Sequence, residues 1–194
     1  RLVRSATQDP FGSPDGFVTD RQKELYRTIA ANNVGMIITA HVCVTPEGRA
    51  MGVQNCFYDD SFVAGQAEVA SVIKSNGAAA VLQISHAGGS IGPYPGSEKL
   101  TLLAPVEKEY GKSGQVAKAM TKEDMDYVKT GFAEAAKRAV RAGFDGIQIH
   151  LAHGYLLSTF LNPSINTRED EYGVNAEGRF RFPREVLTAV REAV

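Results

Sequence analysis

What most constrains this chain is an alternation. Short, almost uninterrupted apolar runs are separated by amphipathic helical stretches, and the pattern repeats four times. The runs are LVRSA (2–6), GMIITAHVCV (35–44), AAVLQISHA (79–87) and GIQIHLA (146–152). Strands this apolar suit parallel pairing under helices on a covered sheet. A first helix is predicted over 19–33, with Thr19 and Gln22 spaced as a capping box. A second spans 61–77 and closes on Gly77. The strongest covers 121–143, where Thr121 caps, Met125, Val128, Phe132, Ala135 and Ala139 share a face, and Gly143 ends the helix. Asn175 caps a last helix that runs to the chain end. The connections after strands are long: a Gly/Pro-rich loop from Gly88 to about Met120, and a polar loop from the fourth strand to Gly173.

The class is therefore α/β, in βαβαβαβα order. Such units build either an open doubly wound sheet or a (β/α)8 barrel. A dinucleotide-binding sheet would place G-x-G-x-x-G after the first strand; none follows Ala6, and GGSIG (88–92) has the wrong spacing. A TIM (β/α)8 barrel is expected, of which this chain supplies about the first four βα units. A complete barrel takes about 250 residues, against 194 here. Residues 1–194 are thus expected to be the N-terminal half of one barrel domain, with the remainder outside this chain; paired half-barrels or a small open sheet are the alternatives.

Composition narrows the partners. Apolar residues are 43%, charged residues 22% and the net charge is −1, which gives no general attraction to nucleic acid or to a membrane surface. No apolar run reaches about 18 residues, so no membrane-spanning helix is expected. RLVRSATQDP lacks the layout of a signal peptide, and Cys43 and Cys56 make no disulfide framework, so a reduced, cytoplasmic setting is expected.

All four histidines follow strands: His41, His86, His150 and His153. In barrels that rim carries the chemistry, so a shared site is expected there. On the fourth strand, Ile147, Ile149 and Leu151 share the face that suits the helix layer, which leaves Gln148 and His150 facing inward. His153 lies past the strand, and Gly154 frees the chain to bring Tyr155 beside the imidazoles. Two imidazoles can hydrogen-bond and polarise one oxygen, and a phenol held nearby can deliver a proton. A metal site using His86, His150 and His153 is the competing possibility, though no suitably spaced Cys and no H-x-x-x-H pair supports it, and no metal ligands are assigned. A third is plain hydrogen bonding within the rim. On strand three, Gln83 presents an amide donor and acceptor side by side, matching the edge of a heterocycle such as a flavin pyrimidine or a base, unless neighbouring backbone satisfies it. Ser5, Ala6 and Thr7 end the first strand with small residues that let a flat ligand approach.

Together these stretches resemble the Old Yellow Enzyme family of NADH:flavin oxidoreductases, over nearly the whole chain. RLVRSAT, GMIITAHVCVTPEGR and LQISHAG resemble that family's first three strands. GFDGIQIHLAHGYLLSTFLNPSINTREDEYG resembles its longest signature, H-x-A-[HN]-G-Y-L-x-x-F-L-x-P-x-x-N-x-R-x-D-x-Y-G. The resemblance implies FMN across the strand C-termini, with Gln83 on its pyrimidine edge, Ser5, Ala6 and Thr7 against the ring, and the backbone of Ala40 and His41 presented to it. It implies that His150 and His153 grip a substrate oxygen and that Tyr155 donates a proton to an activated alkene, an enone or a dienoyl substrate. NADH or NADPH supplies the reducing equivalents. Arg168 and Asp170 brace the rim. A homo-oligomer is the expected assembly. Some members carry a 4Fe-4S cluster in a C-terminal module, and no four-cysteine motif occurs in these residues. T-A-H stands where many members place Glu before a small residue, and the family's basic residue on strand five and its phosphate site after strands seven and eight fall beyond this chain. A non-catalytic half-barrel and a metal-dependent barrel hydrolase are the other functional classes kept open.

Overall fold

A computed structural model describes residues 2–111 and 113–194. Its strands are β1 (Leu2–Arg4), β2 (Val34–Ile38), β3 (Val42–Cys43), β4 (Ala79–Ser85), β5 (Leu103–Ala104), β6 (Lys108–Glu109), β7 (Val116–Ala119) and β8 (Gly146–Ile149). Its α-helices are α1 (Asp20–Ala30), α2 (Val63–Lys74), α3 (Lys122–Arg141), α4 (Leu156–Leu161) and α5 (Ala176–Ala193). In the main sheet β1 pairs with β2, β4 pairs with β2 and β3 on one side and with β8 on the other, and every pairing is parallel. Successive strands are therefore neighbours in chain order. A doubly wound sheet reverses its order at a switch point; a barrel wall does not, so this is the first four βα units of a (β/α)8 barrel.

The helices form the outer layer: α1 packs on α2, α2 on α3, and α3 on α5. Thr19 and Gln22 make the capping box of α1, and Thr121 with Asp124 makes that of α3. The apolar stripe of α3, from Met125 to Ala139, is buried throughout, against Ala80, Leu82 and Ile84 from the outward face of β4. The boundaries are tighter than the apolar runs suggest. The expected 61–77 helix begins with a 3-10 turn over Asp60–Phe62 and becomes α-helical at Val63.

Three regions differ from the expectation. The run 35–44 is not one strand. Ile38 pairs with Val81, but Val42 pairs with Ile84, so four steps on one side match three on the other. One extra residue makes a bulge between β2 and β3, and a bulge re-aims side chains. The ladder is mended by side chains: the Thr39 hydroxyl accepts the Gln83 amide N–H at 3.3 Å, and the Tyr26 hydroxyl accepts that of Ala40 at 2.9 Å. The stretch expected as a loop, 88–120, contains the small sheet β5-β7-β6, which gathers a second core of Ala50, Ala87, Ile91, Leu102, Ala104, Tyr110 and Ala117. The expected polar loop after β8 contains α4, whose Leu156, Leu157 and Phe160 are buried. Both outer sheet edges carry apolar surface: Leu2 and Val3 on β1 are exposed, and a cleft of about 420 Å³ beside β8 is lined by Val140, Phe144, Ile147, Ile149, Leu187 and Val190.

Candidate active site

The inward face of the sheet supplies the first layer. Gln83 and Gln148 are register partners on β4 and β8, and Gln83 Nε2 donates to Gln148 Oε1 at 2.6 Å. Neither amide makes another side-chain hydrogen bond among the described residues. Whichever way the pair is turned, one N–H group and one C=O group remain open, side by side. That donor set fits the mixed N–H and C=O edge of a flavin pyrimidine. The pairing also answers how Gln83 is satisfied: by another side chain, with capacity left over, rather than by neighbouring backbone.

Above the pair, β8 ends and His150 begins the rim. Its backbone N–H reaches Ile84 O at 3.0 Å, which holds the residue against β4, and the residue is 6% exposed. His153 and Gly154 both take left-handed backbone, with φ of 60° and 73°. A left-handed conformation at a non-glycine residue is uncommon. Here it is held by the hydrogen bond from Tyr155 N to Ala152 O at 3.1 Å and by the Ser90 hydroxyl on Gly154 O at 2.7 Å. The reversal folds Tyr155 back onto His150, with ring centroids 4.7 Å apart and planes 21° from parallel, while His153 meets His150 edge-on at 5.1 Å. The other flank of Tyr155 packs on the second core. Its hydroxyl has no protein partner among the described residues, and burial raises its pKa. The α4 helix then leaves at once, anchored by Leu156 N on His86 O at 3.0 Å.

The sequence does not reveal the inward side chain of His41. The bulge brings its ring within 5.5 Å of His150 and 5.4 Å of Tyr155, centroid to centroid. Gln54 and Ser85, both fully buried, hold its Nδ1. Burial, and then the neighbouring His150 and His153, lower the His41 pKa to about 4. Burial and then His153 lower that of His150 as well. Both rings are neutral at neutral pH. No spacing signal could have found Gln54, thirteen residues away, because its role depends on the turn at Thr45–Gly48 folding the chain back.

His86 does not join this cluster. Its ring is buried, with Nδ1 accepting the Gly88 N–H at 3.0 Å and Nε2 facing Glu47 Oε1 at 3.4 Å. The four-histidine site is therefore corrected to three imidazoles and a phenol, and the ligand trio His86, His150 and His153 is not assembled. Among the described residues no group of three His, Cys, Asp or Glu side chains is placed to hold a metal ion. Ser5, Ala6 and Thr7 stand on the chain leaving β1, with the Thr7 hydroxyl bonded to Ser5 O at 3.2 Å; none of the three hydrogen-bonds to the imidazoles or to Gln83. Arg168 ties the rim together, donating to Pro105 O and Met120 O at 2.9 Å each while pairing with Asp170.

The depressed His41 pKa has a consequence for stability. The unfolded chain takes up a proton near pH 6.5 that the folded chain refuses until about pH 4. Stability is therefore complete above pH 6.5 and is lost as pH falls toward 4, by about 3 kcal/mol for this group. Urea midpoints at about pH 7.5 and pH 4.5 check this: His41→Gln should lose less stability on acidification than the wild type. Equal losses would remove His41 as the cause.

Comparison with known proteins gives matches over the whole chain. The sequence model of the NADH:flavin oxidoreductase / NADH oxidase family matches residues 1–194. The chain is 40% identical over 178 residues to an NADPH dehydrogenase of Geobacillus thermodenitrificans, covering 92% of this chain and 51% of that protein. It is 36% identical over 195 residues to an NADH oxidase of Thermoanaerobacter brockii, covering 100% of this chain and 30% of that one. Among solved structures, an Old Yellow Enzyme from Pichia superposes with a TM-score of 0.93 at 30% identity, over 100% of this chain and 53% of its own. The chain thus spans about half the length of the curated relatives it matches, or less.

Proposed function

Because this chain belongs to the NADH:flavin oxidoreductase / NADH oxidase family, we propose that it carries the substrate-binding and proton-donating side of an FMN-dependent oxidoreductase that reduces activated alkenes with NADH or NADPH. One observation carries this: the Tyr155 phenol, with no partner for its hydroxyl among the described residues, stacked on a buried neutral imidazole, with a second imidazole edge-on to the first.

Bound FMN supplies the hydride-transfer chemistry. Gln83 and Gln148 would hold its pyrimidine edge through their open N–H and C=O, and the backbone of Ala40 and His41 and the residues Ser5, Ala6 and Thr7 would complete its binding surface. His150 and His153 hydrogen-bond the oxygen of an enone or dienoyl substrate and stabilise the negative charge that gathers there as the β-carbon is reduced. Tyr155, neutral at working pH, passes its hydroxyl proton to the α-carbon. The open edges of β1 and β8 support a domain reading in which residues 1–194 form the N-terminal half of the barrel and further βα units pack on the cleft beside β8.

The test is optical. The full-length protein should purify with a flavin spectrum that NAD(P)H bleaches and an activated alkene restores. Combining His150→Ala with His153→Ala should keep the flavin and its bleaching while weakening the binding of an added phenol, whose phenolate oxygen would take the place of the substrate oxygen, by about 10²–10⁴-fold, as expected when two hydrogen bonds to a charged oxygen are lost. Alkene reduction that survives the double change intact would refute the assigned role.

A further inference from the structure

The two cysteines meet across a strand pairing. Cys43 ends β3 and is the parallel bridge partner of Cys56. The bridge consists of Cys43 N on Asn55 O at 3.0 Å and Phe57 N on Cys43 O at 2.9 Å. Bridge partners put their side chains on one face, and paired strands run about 4.8 Å apart. That lies inside the span of about 4.4–6.8 Å between Cα atoms that a disulfide closes. Both thiols are free, and the two residues are 0% and 2% exposed. They are not equivalent. A hydrogen bond from Cys43 and then, against the opposing effect of burial, the Arg49 charge and the Tyr58 hydroxyl hold Cys56 below the ordinary thiol value. Burial, and then the same bond to Cys56, push Cys43 well above it. The cover over Cys56 is thin. Gly16, in left-handed backbone with φ of 86°, lies so close that a Cβ there would stand 2.4 Å from Cys56 Sγ. Pro14 and Asp15 in the same turn are exposed, so on this side one backbone turn lies between the sulfur and solvent.

We propose that Cys43 and Cys56 are a redox-active pair that hydrogen peroxide closes to a disulfide, with Cys56 as the attacking thiol and Cys43 as the resolving one. In the first step Cys56 Sγ, as thiolate, attacks one peroxide oxygen. The S–O bond forms, the O–O bond breaks, and the departing hydroxide leaves as water with the proton that Cys56 gave up. Cys56 is then a sulfenic acid. In the second step Cys43 Sγ attacks that sulfur. The S–S bond forms, the S–O bond breaks, and hydroxide leaves as a second water with the Cys43 proton. Two electrons pass from the thiols to one peroxide. The order follows from the asymmetry of the pair, because the thiolate is the nucleophile. Sulfurs that only filled the core would need no cation beside them, yet Arg49 is fixed there by the carbonyls of Ser13, Pro14, Gly52 and Gln54. The bridge would join the two segments that hold the His41 ring. Cys43 lies two residues after His41, and Cys56 two after Gln54, whose Nε2 is 2.8 Å from His41 Nδ1. Neither step uses the flavin or the alkene.

The experiment uses the full-length protein, reduced, freed of reductant and exposed to hydrogen peroxide. Remaining thiols are blocked with iodoacetamide in denaturant, and the chain is cut with trypsin in the absence of reductant. Arg49 lies between the two cysteines, so they fall on separate peptides, 28–49 and 50–74. These should be recovered joined, lighter than their sum by two hydrogens, and dithiothreitol should part them. Recovery of both peptides with blocked thiols, after the peroxide has oxidised the methionines, overturns the proposal. So does Cys56 joined to any other cysteine, or carried to the sulfinic acid with Cys43 still free. The roles are read by trapping the sulfenic acid with dimedone. In Cys43→Ala the reagent should label Cys56, and in Cys56→Ala it should label Cys43 at least about tenfold less, as expected for a thiol that burial keeps protonated. Equal labelling, or the reverse, overturns the assignment of roles. The joined peptide is read in the unaltered protein, so a variant that fails to fold leaves that result decisive.

Discussion

Tyr155→Phe is expected to lower alkene reduction by about 10²–10⁴-fold, the usual contribution of a positioned general acid, while NAD(P)H still bleaches the flavin at the wild-type rate. The substitution removes one oxygen and leaves the ring. The ring is what the fold uses: it stacks on His150 at 4.7 Å and packs on the second core. The hydroxyl has no hydrogen-bond partner among the described residues, so its loss strands none of them and costs little stability. Burial holds its pKa above the ordinary phenol value, so the proposed proton donor stays protonated at neutral pH. Stopped-flow measurement separates the two half-reactions. Equal slowing of both would place Tyr155 in cofactor or ring positioning, and unchanged alkene reduction would move the proton source elsewhere.

Phe160→Ala is expected to destabilise the protein by about 3–5 kcal/mol, the range for emptying a buried phenyl site, out of a total that for most domains is about 5–15 kcal/mol. Phe160 is fully buried and meets Phe182 of α5 with ring centroids 4.8 Å apart. A helix as short as α4, six residues, has no stability of its own, so it stays where its buried face docks. The backbone carbonyl of Phe160 is also gripped by Asn166, whose amide bridges to Tyr172 O, both at 2.8 Å. Loosening this anchor frees the turn carrying His153 and Tyr155, so substrate affinity should fall along with the denaturation midpoint. Phe160→Leu, which refills most of the volume, should recover much of both. A Phe160→Ala protein with an unchanged midpoint would show that α4 is held by something other than this contact.

Much of the fold was legible because its elements carry local signals. The capping residues Thr19, Thr121 and Asn175 sit where side chains accept the first free N–H groups of α1, α3 and α5. The stripe from Met125 to Ala139 has the helical period and is buried. Continuous apolar strands with helices between them specify parallel pairing before any contact is seen. The inward direction of Gln148 and His150 follows from strand alternation, and Gly154 marks the turn that returns Tyr155.

The remainder depended on register and on long-range closure, which no local pattern encodes. An apolar run such as 35–44 looks the same with or without one residue too many, yet that single bulge brings the His41 ring against His150 and Tyr155 and places Thr39 and Tyr26 on the orphaned backbone groups. The small sheet β5-β7-β6 and the helix α4 are too short to show a period, and they exist because the second core and α5 bury them. His86 follows its strand as His41 follows the bulge, but the chain folded back over it supplies Glu47, and its ring lies against that carboxylate instead of joining the cluster. Sequence thus determined which elements form and which residues reach the rim. Tertiary packing decided which of those residues face one another, because that choice is set by the pairing register and by partners far away along the chain.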